Sequence, residues 1–129
     1  ALESGTQVVL DRYADSTTVY QGDGRGVPMV HVRAANKLAT GGLSPDLTLL
    51  LEGPLDETLG RTLGRPRGRL DDGGRRFEDE DRSFHRRVRS GFRRLARRDP
   101  GRWVTVDTTG PVDVVRAQVW AAVERLLGS

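Results

Sequence analysis

The chain has 129 residues, 21 basic against 18 acidic side chains, a formal charge of +3, and no cysteine. This length suits one domain with a modest core. Adding the 16 glycines to the 36% apolar residues brings the composition near the globular average, so a disordered chain is excluded. Disulfides and thiolate metal sites are excluded too, and with no signal-peptide pattern or membrane-length apolar run, a cytoplasmic protein without a membrane partner is expected.

Strand, helix and loop alternate along the chain, which predicts an α/β architecture. Residues 1–5 read as the last turn of a helix stopped at Gly5. Residues 7–10, with Val8-Val9-Leu10, read as a buried strand that delivers Asp11-Arg12-Tyr13 at its carboxyl end, where open α/β sheets bind ligands. A helix from about Ser16 follows, so that residues 12, 16 and 20 share one face, and it breaks in the glycine-rich stretch 22–26. An arginine, a hydroxyl and a phenol converging on one cleft suit a small phosphorylated molecule that carries a base and a sugar.

A second helix is expected from about Pro28 to Ala39, stopped by Gly41-Gly42, and then a fully apolar strand over 47–51. Helical spacing of Leu55, Leu59 and Leu63 follows, then a Gly- and Arg-rich loop over 64–76. A long helix runs from about Glu78 to Arg98 with a stripe of Phe84, Val88, Phe92 and Leu95, stopped by Asp99-Pro100-Gly101. Residues 103–107 form the last strand. Pro111 opens a final helix whose Val112, Val115, Val119, Val123 and Leu126 face inward.

Asp11-Arg12-Tyr13, Ser16 and Tyr20-Gln21-Gly22 resemble the signature of thymidylate kinases. The likeness continues in order through Gly24-Arg25-Gly26, Leu38-Ala39-Thr40-Gly41-Gly42-Leu43, Pro45 to Leu51, Arg76-Phe77-Glu78, Phe84-His85 and Arg102-Trp103-Val104. It implies an ATP:thymidine monophosphate (dTMP) phosphotransferase of dTTP biosynthesis that uses Mg2+ with ATP as donor and works as a homodimer. The implied fold is a partial P-loop-kinase-type parallel sheet of about three strands flanked by helices. Residues 1–129 would form a single domain, the carboxyl-terminal part of the family domain.

The resemblance also implies residue roles. Arg12 grips the dTMP phosphate through two parallel hydrogen bonds, as a planar guanidinium can, and Asp11 orients it near the magnesium-bound phosphates. Ser16 and Thr17 approach the thymine edge, Tyr20 crowds the sugar 2′ position, and Gln21 adds an amide contact. From the residues alone, Arg12 reads equally as an ion-pair partner of a nearby acid, and Ser16 as a helix cap. The loop 64–76 resembles the family lid, with Arg61, Arg65 and Arg76 toward ATP and Arg65 and Arg76 as catalytic candidates. Arg75 replaces the family acid there, and Asp71-Asp72-Gly73-Gly74 adds length. Thr108, Thr109 and Gly110 fall where the family packs adenine; the same turn also reads as an ordinary strand-to-helix link.

The family's phosphate-binding loop has no counterpart here. The only lysine, Lys37, stands between Asn36 and Leu38, so no Gly-Lys-Ser/Thr exists. In the family the strand before that loop lies between the two counterparts of 7–10 and 47–51. Without it two ladders lose their partner, and marginal stability is expected unless those strands pair directly. The chain is therefore read as the carboxyl-terminal part of a longer protein or of a truncated gene, inactive alone.

Two other readings are weighed. One is a non-catalytic remnant of the same fold. The other is an Arg-rich nucleic-acid-binding module, suggested by eight arginines between 82 and 98 but opposed by the flanking acids and the apolar stripe. His31 and His85 stand alone, so no metal site is assigned.

Overall fold

The computed structural model describes residues 1–54 and 72–128, with the backbone alone for 72–80. Leu2–Ser4 make one 3-10 turn, and Gly5 ends it in the left-handed conformation, φ 77°, as a helix stop does. Then come α1 (Ala14–Thr17), continued by a π-helical segment (Thr18–Gly24), α2 (Met29–Thr40), β1 (Thr48–Glu52), α3 (Asp72–Arg98), β2 (Trp103–Asp107) and α4 (Val112–Leu127).

The expected α/β class holds: β1 and β2 are parallel, in register from Thr48 opposite Trp103 to Glu52 opposite Asp107, and are flanked by helices. The described sheet has two strands rather than about three. Residues 7–10 form no ladder and are exposed, Val9 at 96%. A β-branched run becomes a strand only where a neighbour accepts its backbone hydrogen bonds, and no described strand lies beside it. The same vacancy leaves β1 half-buried, with Leu51 59% exposed, instead of the buried strand its apolar run predicts.

Helix α2 matches its signals closely. Pro28 precedes its first turn, and Gly41, at φ 62°, follows its last. The expected helix over 54–63 lies outside the described residues beyond Pro54, as does the expected loop up to residue 71. From Asp72 the backbone is already helical, so α3 starts six residues before Glu78.

Phe84, Phe92 and Leu95 are half-buried and Val88 buried, so the α3 stripe is the packing face. It lies against the π-helical segment through two glycines. A Cβ on Gly91 would stand 2.7 Å from Asp23 Oδ2 and 3.0 Å from Val19 Cγ1, and one on Gly24 only 2.6 Å from Phe84 Cε2. The described core comprises Val19, Val32, Val88, Trp103, Val106 and Ala122. Helix α4 turns Val115, Val119 and Val123 inward beside Ala122, but Val112 and Leu126 at its ends are exposed.

Candidate functional site

Asp11 and Arg12 form a bend immediately before α1. Arg12 has φ 68°, the one non-glycine residue in the left-handed region among those described. An arginine there sets its Cβ against the backbone, at a cost of roughly 1–2 kcal/mol. The bend returns the guanidinium over Tyr20, with Cζ 5.1 Å from the ring centroid. Arginine and phenol thus meet, though Arg12 precedes the helix rather than sharing a face of it. Among the described residues no acid pairs with Arg12.

Tyr20 and Gln21 lie in the π-helical segment, a rare widening of the backbone that recurs at functional sites. Its cause is local. Asn36 of α2 donates to the Ala14 carbonyl (3.1 Å) and to Thr18 Oγ1 (2.9 Å), and Thr18 Oγ1 donates to the same carbonyl (3.2 Å). Extra donors crowd the ladder where it widens, and further on Arg25 N reaches back five residues to the Tyr20 carbonyl. The Tyr20 ring is edge-on to Phe92 (6.2 Å) and tilted to Phe84 (5.9 Å) on α3. Ser16 lies inside α1, whose cap is Tyr13, so the capping reading of Ser16 is wrong and its hydroxyl is left half-exposed. Thr17 and Gln21 are exposed, and the Tyr13 hydroxyl donates to the Leu43 carbonyl at 3.2 Å.

The sequence places this turn at the carboxyl end of a strand, and the fold does not. Arg102 holds Asp15 with Nη1–Oδ2 at 2.7 Å and Nη2–Oδ1 at 3.2 Å, and donates to Thr48 Oγ1 at 2.9 Å and from Nε to Asp99 Oδ2 at 3.1 Å. Thr48 and Trp103 open the two strands, so α1 begins beside their amino-terminal ends. The Asp15 carboxylate, with Asp99, raises the Arg102 pKa above its ordinary value against the opposing effect of burial.

A separate network closes the carboxyl end of the sheet. Thr108 donates from N (2.8 Å) and Oγ1 (2.9 Å) to the Glu52 carbonyl, while Arg93 and Arg89 of α3 pair with the Glu52 carboxylate. Thr109 donates from N (2.8 Å) and Oγ1 (2.7 Å) to Asp107 Oδ1, which holds that carboxyl below its usual range. Both threonine hydroxyls of the expected adenine turn are therefore engaged locally, and Gly110 leads directly into α4.

Arg61 and Arg65 lie outside the described residues, and only the backbone of Arg76 is described. No group of three or more His, Asp or Glu side chains suited to a metal occurs among the described residues. Asp15, Asp23 and Glu52 are tied to arginines, and Asp11 is the exposed carboxylate beside Arg12. Magnesium bound chiefly through nucleotide phosphates needs only one or two carboxylates, a demand Asp11 fits. On α3, Arg87 donates to the Gly24 carbonyl, Arg89 and Arg93 face Glu52, and Arg94 reaches Asp23 at 2.8 Å, so much of the arginine run packs the fold. No described helix is long and apolar enough to cross a membrane.

Asp15, Asn36 and Glu52 were not singled out by sequence reasoning, and Arg102 entered only within Arg-Trp-Val. Nothing local marks them, because each acts on a partner far along the chain.

Parallel strands joined through helices place the chain in the α/β class, where side chains at element ends handle anionic ligands and nucleotides. Residues 1–119 match the family model described as thymidylate kinase, and the chain belongs to that family. It is 47% identical over 123 residues to a thymidylate kinase of Deinococcus radiodurans, covering 95% of this chain and 57% of that protein. With one of Desulfosudis oleivorans it shares 46% over 127 residues, 98% of this chain and 59% of the relative. The crystal structure of thymidylate kinase from Ehrlichia chaffeensis matches with a TM-score of 0.60 and 25% identity, over 99% of this chain and 54% of that one. The chain thus spans less than two thirds of the length of these relatives.

Proposed function

We propose that this chain provides the acceptor side of an ATP:dTMP phosphotransferase. The observation that carries the reading is Arg12, held at φ 68° with its guanidinium over Tyr20. A strained arginine and a widened helical segment in one motif are the kind of backbone cost retained for ligand binding. In this reading Arg12 takes the dTMP phosphate, with Asp11 beside it. Ser16, Thr17 and Gln21 meet the base, and Tyr20 meets the sugar. Arg61, Arg65 and Arg76 serve the lid over ATP, Thr108, Thr109 and Gly110 border adenine, and magnesium enters with ATP. The full-length protein works as a cytoplasmic homodimer.

A second reading is a non-catalytic remnant, favoured by the Thr108 and Thr109 hydroxyls, which are both taken up by the Glu52 carbonyl and the Asp107 carboxylate rather than left for a ligand. Calorimetric titration of the chain with dTMP and with uridine monophosphate separates the outcomes. Saturable binding that prefers dTMP and is lost in Arg12→Ala supports the acceptor role, whereas equal or absent binding removes it. No dTDP is expected from ATP plus dTMP with this chain alone, and its formation would overturn the claim of inactivity.

A further inference from the structure

The helical turn that leads into Tyr20 and Gln21 is braced from α2 by one side chain. A carbonyl oxygen has two lone pairs, yet that of Ala14 receives three donors: Thr18 N, Thr18 Oγ1 at 3.2 Å and Asn36 Nδ2 at 3.1 Å. The same Asn36 amide donates to Thr18 Oγ1 at 2.9 Å, so its two hydrogens serve two neighbouring acceptors. Ala14, Thr18 and Asn36 are all half-buried, which limits competition from water. Beyond this bracket the backbone bonds reach back five residues instead of four, as from Arg25 N to the Tyr20 carbonyl at 3.1 Å.

The consequence is rotational. An α-helix advances about 100° per residue, so widening by one residue turns the side chains beyond it by up to about 100°. Arg12, Ser16 and Thr17 stand before the widened segment, and Tyr20 and Gln21 lie within it. The bracket therefore decides the angle between the two sets. Helix α3 packs on the Tyr20 ring itself, through Phe84 at 5.9 Å and Phe92 at 6.2 Å. It is α2, through Asn36, that sets the backbone turn from which the ring projects.

We infer that Asn36 is a positioning residue for the sugar and base of the acceptor nucleotide, acting through the widened turn and touching no ligand itself. The role rests on the acceptor function proposed for this chain. Capture of the phosphate is not part of it, because Arg12 lies ahead of the turn.

Asn36→Asp keeps the shape but sets a carboxylate against two acceptors, and Thr18→Val removes the shared hydroxyl at nearly the same volume. Titration calorimetry of the chain and of each variant with dTMP and with uridine monophosphate reads the effect, while circular dichroism and urea melts record the fold. Both nucleotides carry the phosphate; only dTMP carries the base methyl and the deoxyribose. Each variant is expected to lose dTMP affinity by about tenfold or more while uridine monophosphate binding changes by less than about twofold. A general loosening of the fold would instead weaken both nucleotides by the same factor. Equal weakening, or an unchanged affinity ratio in a folded variant, overturns the role of Asn36 and leaves the acceptor function standing. No binding of dTMP by the unaltered chain removes both. Where Asn36→Asp does not fold, the ratio in Thr18→Val decides.

Discussion

Arg102 grips Asp15 with both terminal nitrogens, at 2.7 and 3.2 Å, across 87 residues of sequence. The guanidinium also lies 5.2 Å from the centre of the Trp103 ring and reaches Thr48 and Asp99. One side chain thereby joins the start of α1, the end of α3 and the openings of both strands. Both partners are about four-fifths covered, which limits solvent screening. Arg102→Gln is expected to cost about 2–3 kcal/mol and Asp15→Asn less, with a coupling of about 1 kcal/mol in the double-mutant cycle, read from urea midpoints. Additive single effects would show that the pair is incidental.

Arg12 tests whether backbone strain serves binding. Glycine adopts φ 68° freely, so Arg12→Gly is expected to stabilise the fold by up to about 1 kcal/mol, less whatever the contact with Tyr20 contributes. The same change removes the charged donor and should weaken dTMP binding about tenfold or more. Arg12→Lys keeps the charge and the strain but not the planar fork, and binding should fall between the two. An Arg12→Gly variant no more stable than Arg12→Ala, which loses the same contact with Tyr20 but keeps a Cβ, would mean that the conformation is not strained.

Gly91 is where α3 meets Asp23 and Val19. Glycine-to-alanine in a helix ordinarily gains about 1 kcal/mol from propensity. Here the new methyl would stand 2.7 Å from the Asp23 carboxylate, which Arg94 holds, and the net effect is expected to be a loss of about 1–2 kcal/mol. Adding Asp23→Ala should recover part of it.

Asp107 sets a pH dependence. The hydroxyl and then the N–H of Thr109 stabilise its charged form and lower its pKa from the ordinary 3.8. A depressed carboxyl contributes stability that is complete above the unfolded value and disappears as pH falls through the folded one. The effect therefore belongs to acid below about pH 4, not to neutral pH. Thr109→Val should move the Asp107 titration, followed by carboxyl carbon NMR, part of the way back, because the N–H bond remains.

The small core predicts a soft protein. Six buried apolar residues among those described, with Val8, Val9, Leu10 and Leu51 open to water, leave little to offset chain entropy. A urea melt is expected to show a low midpoint and a shallow slope, and a steep cooperative transition would contradict this picture.

Local chemistry made much of this molecule readable in its sequence. Gly5 and Gly41 ended helices because glycine tolerates the left-handed region, residues 103–107 alternated into a strand, and Phe84, Val88, Phe92 and Leu95 recurred at helical spacing. The family signature was equally legible, since Asp11, Arg12, Ser16, Tyr20 and Gln21 keep their order whatever surrounds them. Tertiary contacts alone decided the rest. A β-prone run at 7–10 stayed unpaired for lack of a neighbouring strand, Asn36 widened the helix that carries Tyr20, and Arg102 drew α1 to the amino-terminal ends of the sheet. Each of these depends on residues distant in the chain, and such long-range partners leave no local periodicity to read.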